Sequence, residues 1–351
     1  MNIAVLLSGG VDSSVALRLL QEQGHELTAF YVKIWLEDEL THLGTCPWEE
    51  DLKYATAVCK QLDVPLRIIS LQREYWKEVV TYTIAELKAG RTPNPDVLCN
   101  QRIKFGKFIK KIGPNFDKIA SGHYAQITKK GGKFYLKKSP DPIKDQTYFL
   151  AYLDQKQLAK ILFPVGKYTK KEVRTLAQKF NLPNQNRKDS QGICFLGKIK
   201  FRDFVSHHLG RKKGNFIDVG SGQKCGEHDG YWYYTIGQRH GIHLSGGPWY
   251  VVKKEVKKNI VYIGKKEDLP ADSTSFFNVE NINWISEKSP TKRNLQVRIR
   301  HGGELYKARV VFLRGGSAEV SLKKNSGGLA PGQFAVFYDG AVCLGGGVIA
   351  M

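Results

Sequence analysis

Ile3-Ala4-Val5-Leu6-Leu7-Ser8-Gly9-Gly10-Val11-Asp12-Ser13-Ser14-Val15-Ala16-Leu17-Arg18-Leu19-Leu20 decides the fold. An apolar run of strand length, Ile3 to Leu7, enters two adjacent glycines flanked by hydroxyls. Val15, Ala16, Leu19 and Leu20 then recur at helical spacing, up to a C-capping Gly24. The order is strand, glycine turn, helix. Glycines let a ligand approach the backbone, and the N–H groups at the helix start, with the helix dipole behind them, favour an anion. Ser8, Ser13 and Ser14 add hydroxyl donors, and Asp12 offers oxygens for Mg²⁺. The stretch reads as a phosphate cradle. It is not a Walker A loop, because no Lys follows the glycines, and it lacks the Gly-x-Gly-x-x-Gly of dinucleotide sites.

Outward from the cradle, strand and helix alternate. Leu27 to Val32 and Leu66 to Ile69 read as strands, with a helix stripe Leu52, Ala55, Cys59, Leu62 between them. A further helix stops at Gly90, another runs from Ile103 to Ile112, and Lys118 to Ser121 is a short strand. Repeated β-α units predict an α/β fold with a doubly wound parallel sheet and ligands at the carboxyl edge of its strands. Gln126 to Leu136 reads as a hairpin inserted in this domain. Asp154 and the Thr169/Glu172 pair cap two later helices. Past Gly210 glycine turns and short strands take over, the strands read over Gly214 to Val219, Tyr231 to Thr235, Trp249 to Val252 and Ile260 to Ile263. We therefore expect three domains: residues 1–209, a small central β domain over 210–270, and a C-terminal β-barrel over 271–351.

The chain has 351 residues and a formal net charge of +21, which points to a polyanionic partner, nucleic acid before membrane. No stretch approaches a membrane span and no signal peptide opens the chain, so a cytoplasmic protein is expected, with a monomer as the default. The six cysteines (46, 59, 99, 194, 225, 343) contain no Cys-x-x-Cys pair, which argues against zinc and against a secreted disulfide framework. The histidines at 207, 208, 240 and 243 have no partners at ligand spacing, so no metal site is expected on the protein itself.

Two further stretches carry chemistry. In Thr92-Pro93-Asn94-Pro95-Asp96-Val97-Leu98-Cys99-Asn100, Cys99 stands at the start of a helix whose Lys104, Lys107 and Lys111 share one face. A thiol placed there is a better nucleophile, and Asp96 can move a proton. A proline-stiffened turn with a buried Cys and a capping Asp is the bland alternative. In Lys188-Asp189-Ser190-Gln191-Gly192-Ile193-Cys194-Phe195-Leu196-Gly197, the apolar neighbours make Cys194 core, whereas the glycines make the segment a loop.

The Ser-Gly-Gly-x-Asp-Ser pattern resembles the loop of the ATP pyrophosphatase superfamily, which splits ATP to AMP and pyrophosphate. The whole chain resembles the bacterial tRNA-specific 2-thiouridylases. The resemblance rests on Ser8 to Ser13, Thr92 to Asn100, Gly122-His123-Tyr124, Lys144-Asp145-Gln146-Thr147-Tyr148-Phe149-Leu150 and Asp189 to Gly197. Tyr234 to Arg239, Pro331-Gly332-Gln333 and Gly345-Gly346-Gly347 complete it. It implies adenylation of the C2 oxygen of the wobble uridine, then sulfur transfer from a cysteine persulfide. Leu6, Leu7, Ser8, Gly9, Gly10, Val11, Asp12 and Ser13 would hold ATP, with Val32 and Gly122 on the adenine side. Cys194 would carry the persulfide, and Cys99 would resolve it through a transient Cys99–Cys194 disulfide. Asp96 would be the acid/base group. Asn94, Pro95 and Asp96 would surround the target base. His123, Lys144, Asp145, Gln146, Arg300, His301 and Gln333 would contact tRNA. A cysteine desulfurase or sulfur-relay protein would supply the sulfur. The family often has Met at Val32, Asn at Ile34 and Tyr at His301. Two rivals stand beside this reading: a carboxylate-adenylating small-molecule ligase, which needs no cysteine pair, and a tRNA-binding module without catalysis.

Overall fold

The computed structural model describes residues 1–34, 48–189, 199–268, 275–326 and 328–350. The opening stretch forms β1 (Asn2–Leu6), followed by the helix Val11–Glu22, β2 (Glu26–Lys33), the helix Trp48–Leu62 and β3 (Leu66–Ser70). β4 (Lys118–Ser121) follows, then a hairpin of β5 (Ala125–Lys130) and β6 (Lys133–Lys138), and the short β7 (Ile161–Leu162). Strands β3-β2-β1-β4-β7 make one parallel sheet with β1 at its centre. Ile3, Ala4 and Val5 are fully buried because helices cover both faces, as a parallel sheet requires. On one face Ile3 and Val5 pack on Ala55, Val58 and Cys59. On the other, Ala4, Leu6 and Phe30 join a cluster that continues through Ile103 and Phe108 to Phe334, Val336 and Tyr338 of the C-terminal region. The α/β unit and the barrel therefore share one apolar core.

The central unit is a four-stranded sheet of β8 (Gly214–Asp218), β9 (Lys224–His228), β10 (Tyr250–Glu255) and β11 (Ile260–Gly264), in the order β10-β11-β8-β9. The Tyr231–Tyr233 segment, which reads from sequence as part of a strand, is instead a single 3₁₀ turn. It follows Gly230 at φ +144°, where an added Cβ would fall 2.5 Å from the Trp232 ring. Six strands form the last unit: β12 (Phe276–Trp284), β13 (Asn294–Arg298), β14 (Tyr306–Leu313), β15 (Ser317–Leu322), β16 (Phe334–Asp339) and β17 (Val342–Ala350). They run in the order β12-β15-β14-β13-β16-β17, and a β12–β17 pairing closes the barrel. The β5–β6 hairpin forms where the sequence reading inserts it, and it also makes a contact that reading did not include. Its second strand pairs with β17, Leu136 opposite Cys343, so the hairpin extends the barrel's sheet.

Asp154 caps its helix as the sequence predicts and, with Gln157, completes a capping box the sequence reading did not include; Thr169 and Glu172 form the expected box. The helix of residues 95–112 differs from expectation. It opens with the turn Pro95–Leu98 and widens into a π-helical stretch over Cys99–Lys107. Widening redistributes the faces. Lys107 pairs with Glu78 at 3.2 Å and Lys111 donates to the Ser70 carbonyl at 2.8 Å, so the expected three-lysine stripe is split. Lys104 alone of the three lines the cavity described next.

Candidate active site

β1 ends at the carboxyl edge of the sheet, and Ser8 to Ser14 turn there into the first helix. The turn is held by its own hydroxyls. Ser8 N donates to Ser13 Oγ at 3.2 Å, and Ser13 Oγ and Ser14 Oγ each donate to the Gly10 carbonyl at 3.0 Å. Gly10 is the N-cap and has no side chain, so no side-chain cap bonds the first N–H groups of the helix. Gly9 sits at φ +76°, and a Cβ there would run into the Asp51 carbonyl oxygen. Gly122, at the end of β4, packs so closely that a Cβ would lie 2.6 Å from Ser13 N. No other residue fits either position without moving the cradle.

Side chains from later in the domain tie the turn down. Asn184 Nδ2 donates to the Gly9 carbonyl at 2.7 Å and to Ser14 Oγ at 2.9 Å. Arg187 donates to the same carbonyl at 3.1 Å and pairs with Asp51. Asp12 Oδ1 accepts from Tyr124 Oη at 2.8 Å and Lys170 Nζ at 2.7 Å. Lys170 also reaches Asp189 at 2.8 Å, and Asp189 takes Lys144 at 2.6 Å and Arg174 at 2.5 Å. Burial alone would raise the Asp189 carboxyl, but the hydrogen bonds and charges of Lys144 and Lys170 outweigh it and hold the group far below the usual carboxylate range. The sequence assigns no role to Asp51, Tyr124, Lys170, Asn184 or Arg187. Tyr124 and Asp189 stand inside conspicuous motifs, and Lys170 directly follows the capping Thr169.

A cavity of about 400 Å³ opens beside the cradle. Leu6, Leu7, Ser8, Gly10, Val11, Asp12 and Ser13 line it, with Val32 and Gly122. Cys99, Lys104, His123, Lys144 and Gln146 line it as well. The volume suits a nucleotide-sized ligand. Cys99 is 1% exposed and lies one turn into the helix, not at its start. The first turn belongs to Asn94 as N-cap, Pro95 and Asp96. An acidic residue in that turn is favourable to the helix. His123 Nδ1 lies 2.7 Å from Ser121 Oγ, and the ring packs near Phe105 and Phe163. Burial, then the Lys104 charge, pushes its pKa well below 6.5. Cys194, with the rest of residues 190–198, lies outside the described residues.

The expected tRNA-contact residues separate into three groups. Arg300 and His301 are exposed, and the His301 ring lies 4.2 Å from the Phe149 ring, so the barrel brings this pair to the α/β unit. Lys144 and Gln146 line the cavity, although Lys144 is engaged by Asp189 and Gln146 accepts from Tyr124 N at 3.0 Å. Asp145 is 3% exposed, accepts from Thr147 Oγ1 at 2.9 Å, and pairs with Arg298 of the barrel at 3.1 Å, so it ties the α/β unit to the barrel. Gln333 also points inward, its Nε2 donating to the Thr92 and Pro93 carbonyls at 3.1 Å each.

Fold and site together define a nucleotide-binding α/β enzyme with two appended β units. Family models match in the same order: "tRNA methyl transferase HUP domain" over residues 1–198, "tRNA methyl transferase PRC-barrel domain" over 202–265 and "Aminomethyltransferase beta-barrel domain" over 274–349. The tRNA-specific 2-thiouridylase MnmA 1 of Bacteroides thetaiotaomicron is 45% identical over 99% of this chain and 99% of its own. That of Parabacteroides distasonis is 42% identical over 99% of each chain. The chain belongs to the tRNA-specific 2-thiouridylase family. Solved structures overlap more loosely, among them NMN synthetase from Francisella tularensis, 16% identical, covering 54% of this chain and 65% of that one with a TM-score of 0.34. Among the described residues, no helix is long and apolar enough to cross a membrane, and no three His, Cys, Asp or Glu side chains are grouped to hold a metal ion.

Proposed function

We propose that this chain uses ATP to activate the C2 carbonyl oxygen of the wobble uridine in tRNA and replaces that oxygen with sulfur, giving 2-thiouridine, AMP and pyrophosphate. The observation that carries this reading is one cavity lined by both the phosphate cradle and Cys99. A carbonyl oxygen is a poor leaving group, and its attack on the α-phosphorus, with loss of pyrophosphate, makes it part of a good one. A persulfide on Cys194 then adds its terminal sulfur to C2 and AMP departs with the oxygen. Cys99 thiolate attacks the Cys194 sulfur, the S–S bond to the transferred atom breaks, and a Cys99–Cys194 disulfide remains beside the thiocarbonyl. A thiol reductant resets the pair, and a cysteine desulfurase or sulfur-relay protein reloads Cys194.

Asp96, three residues before Cys99, takes and returns the uridine proton. Asn94 and Pro95 border the base. Arg300, His301, His123, Lys144 and Gln146 meet the RNA, with His301 replacing an aromatic side chain as a stacking surface. Gly9, Gly10 and the helix start hold the phosphates, and Val32 and Gly122 border the adenine. Mg²⁺ would ride on the phosphates with Asp12 as one carboxylate, the pattern usual for that ion, and would offset their charge. A monomer in the cytoplasm completes the proposal. The family-model descriptions name methyl transfer, but a cradle of glycines, serines and helix N–H groups favours a polyphosphate.

The test is pyrophosphate release with tRNA present and absent, in the wild type and in Cys194→Ser. The proposal expects tRNA-dependent release in both and thiolation only in the wild type. Loss of release in Cys194→Ser would assign that residue a structural role. Release without tRNA would favour a small-molecule ligase.

A further inference from the structure

Gly9 and Gly10 admit a ligand because they lack side chains, and for the same reason the peptide between them is free to turn over. Gly10 holds φ −80° and ψ 157°. Turning the Gly9–Gly10 peptide by about half a turn would carry Gly10 to positive φ, which glycine alone accepts readily. The two orientations present opposite groups to the cavity. In the structure the Gly9 carbonyl is bonded on the protein side, so the Gly10 N–H points the other way, because a trans peptide holds the two antiparallel. Gly10 lines the cavity, and its N–H meets the Ser8 hydroxyl at 3.4 Å, a long bond that a phosphate oxygen can replace. Turned over, the peptide would offer a phosphate an oxygen in place of a donor.

Two side chains decide the orientation. Asn184 Nδ2 donates to the Gly9 carbonyl at 2.7 Å and Arg187 Nη1 donates to it at 3.1 Å. The second Nδ2 proton goes to Ser14 Oγ at 2.9 Å, so one amide nitrogen spans the two ends of the turn. Asn184 is 1% exposed, and among the described residues its Oδ1 has no partner. The amide cannot be reversed to satisfy that oxygen, since Oδ1 would then face the Gly9 carbonyl oxygen. A buried oxygen is left unpaired while the nitrogen holds the cradle, which calls for a reason.

We propose that Asn184 is a positioning residue for ATP: by holding the Gly9 carbonyl it keeps the Gly10 N–H turned toward the phosphates. The proposal rests on the ATP half of the reading above. The effect is one of population. If loss of Asn184 lets the turned-over peptide predominate by about tenfold, ATP has to reverse it on binding, and apparent affinity falls by about the same factor. Once ATP is bound the peptide is back in place, so turnover at saturation is kept.

The experiment compares the full-length wild type with Asn184→Ala and Asn184→Leu. Leucine has roughly the shape of the amide and no donors, which guards against the alanine variant failing to fold around a cavity. Equilibrium binding of ATP with Mg²⁺, of adenosine and of an unmodified tRNA transcript is measured, together with steady-state pyrophosphate release in the presence of that transcript. We expect Kd and KM for ATP to rise about 10-fold in both variants, with kcat and the affinities for adenosine and tRNA within about threefold of wild type. Unchanged ATP affinity would overturn the proposal. So would a loss of adenosine or tRNA affinity as large as that of ATP, or a fall in kcat with KM preserved, since either would give Asn184 a general structural role. A wild type that binds ATP but forms no thiouridine would overturn the thiolation reading alone, and the binding comparison would still decide the role of Asn184. A wild type that binds no ATP would overturn the ATP reading and the proposal together.

Discussion

The Ser8–Ser14 turn and the Thr92–Asp96 loop are secured in opposite ways. Ser8 to Ser14 is tied by its own hydroxyls and by Asn184 and Arg187, all within the α/β unit. Thr92 to Asp96 is tied by Pro331 and Gln333 of the barrel and, at 3.3 Å between hydroxyls, by Thr235 of the central unit. The phosphate cradle is therefore complete in one domain, whereas the loop that leads to Cys99 is assembled only when three domains meet. Such a division suits the proposed reaction: ATP needs a preformed site, and the base arrives on a large RNA that must touch the other domains first.

The largest effect should come from breaking the seam that the second loop depends on. Asp145→Ala leaves Arg298 buried without its partner, and the loss should be about 3–5 kcal/mol in denaturant unfolding. A loss below about 1 kcal/mol would mean that the seam is held by the shared apolar core alone. Next comes the cradle itself. Gly122→Ala should lower ATP-dependent pyrophosphate release about 100-fold, with tRNA affinity unchanged, because the added methyl strikes the backbone of the first helical turn. An equal loss of tRNA affinity would show that the two loops are not independent. Thr235→Val should cost about 0.5–1.5 kcal/mol, seen as a lower melting temperature, and should leave ATP binding untouched.

The smallest effect is a pH dependence confined to the cradle side. Asp189 has a folded pKa below its unfolded value, so its ion pairs contribute fully above the ordinary carboxylate pKa and are lost as pH falls toward the folded value. Asp189→Asn should flatten the stability profile between about pH 4 and pH 2. An unchanged acid limb would place the titrating carboxylates elsewhere.

The same division explains what the sequence discloses. β1, the glycine turn and the first helix are local, and their periodicity and turn chemistry suffice to read them. The Asp154 cap and the Thr169/Glu172 capping box are local as well and form as written. The placing of β6 beside β17 joins residues 136 and 343, and no local pattern announces it. The buried Asp145–Arg298 pair is equally remote, and nothing local in the Lys144–Leu150 motif announces it. The π-helical stretch alters the lysine face because an ordinary helical repeat does not hold over residues 99–107. Lys170, Asn184 and Arg187 escape notice because each acts by holding another residue, and such roles leave no spacing to detect.

The most direct test of the account is mass spectrometry of unmodified tRNA incubated with this protein, ATP, Mg²⁺, a thiol reductant, and a cysteine desulfurase with free cysteine as the persulfide donor. A sulfur-for-oxygen mass gain on the wobble uridine, absent when ATP is withheld, is the predicted result. An unchanged wobble uridine under conditions in which tRNA-dependent pyrophosphate is released would contradict it.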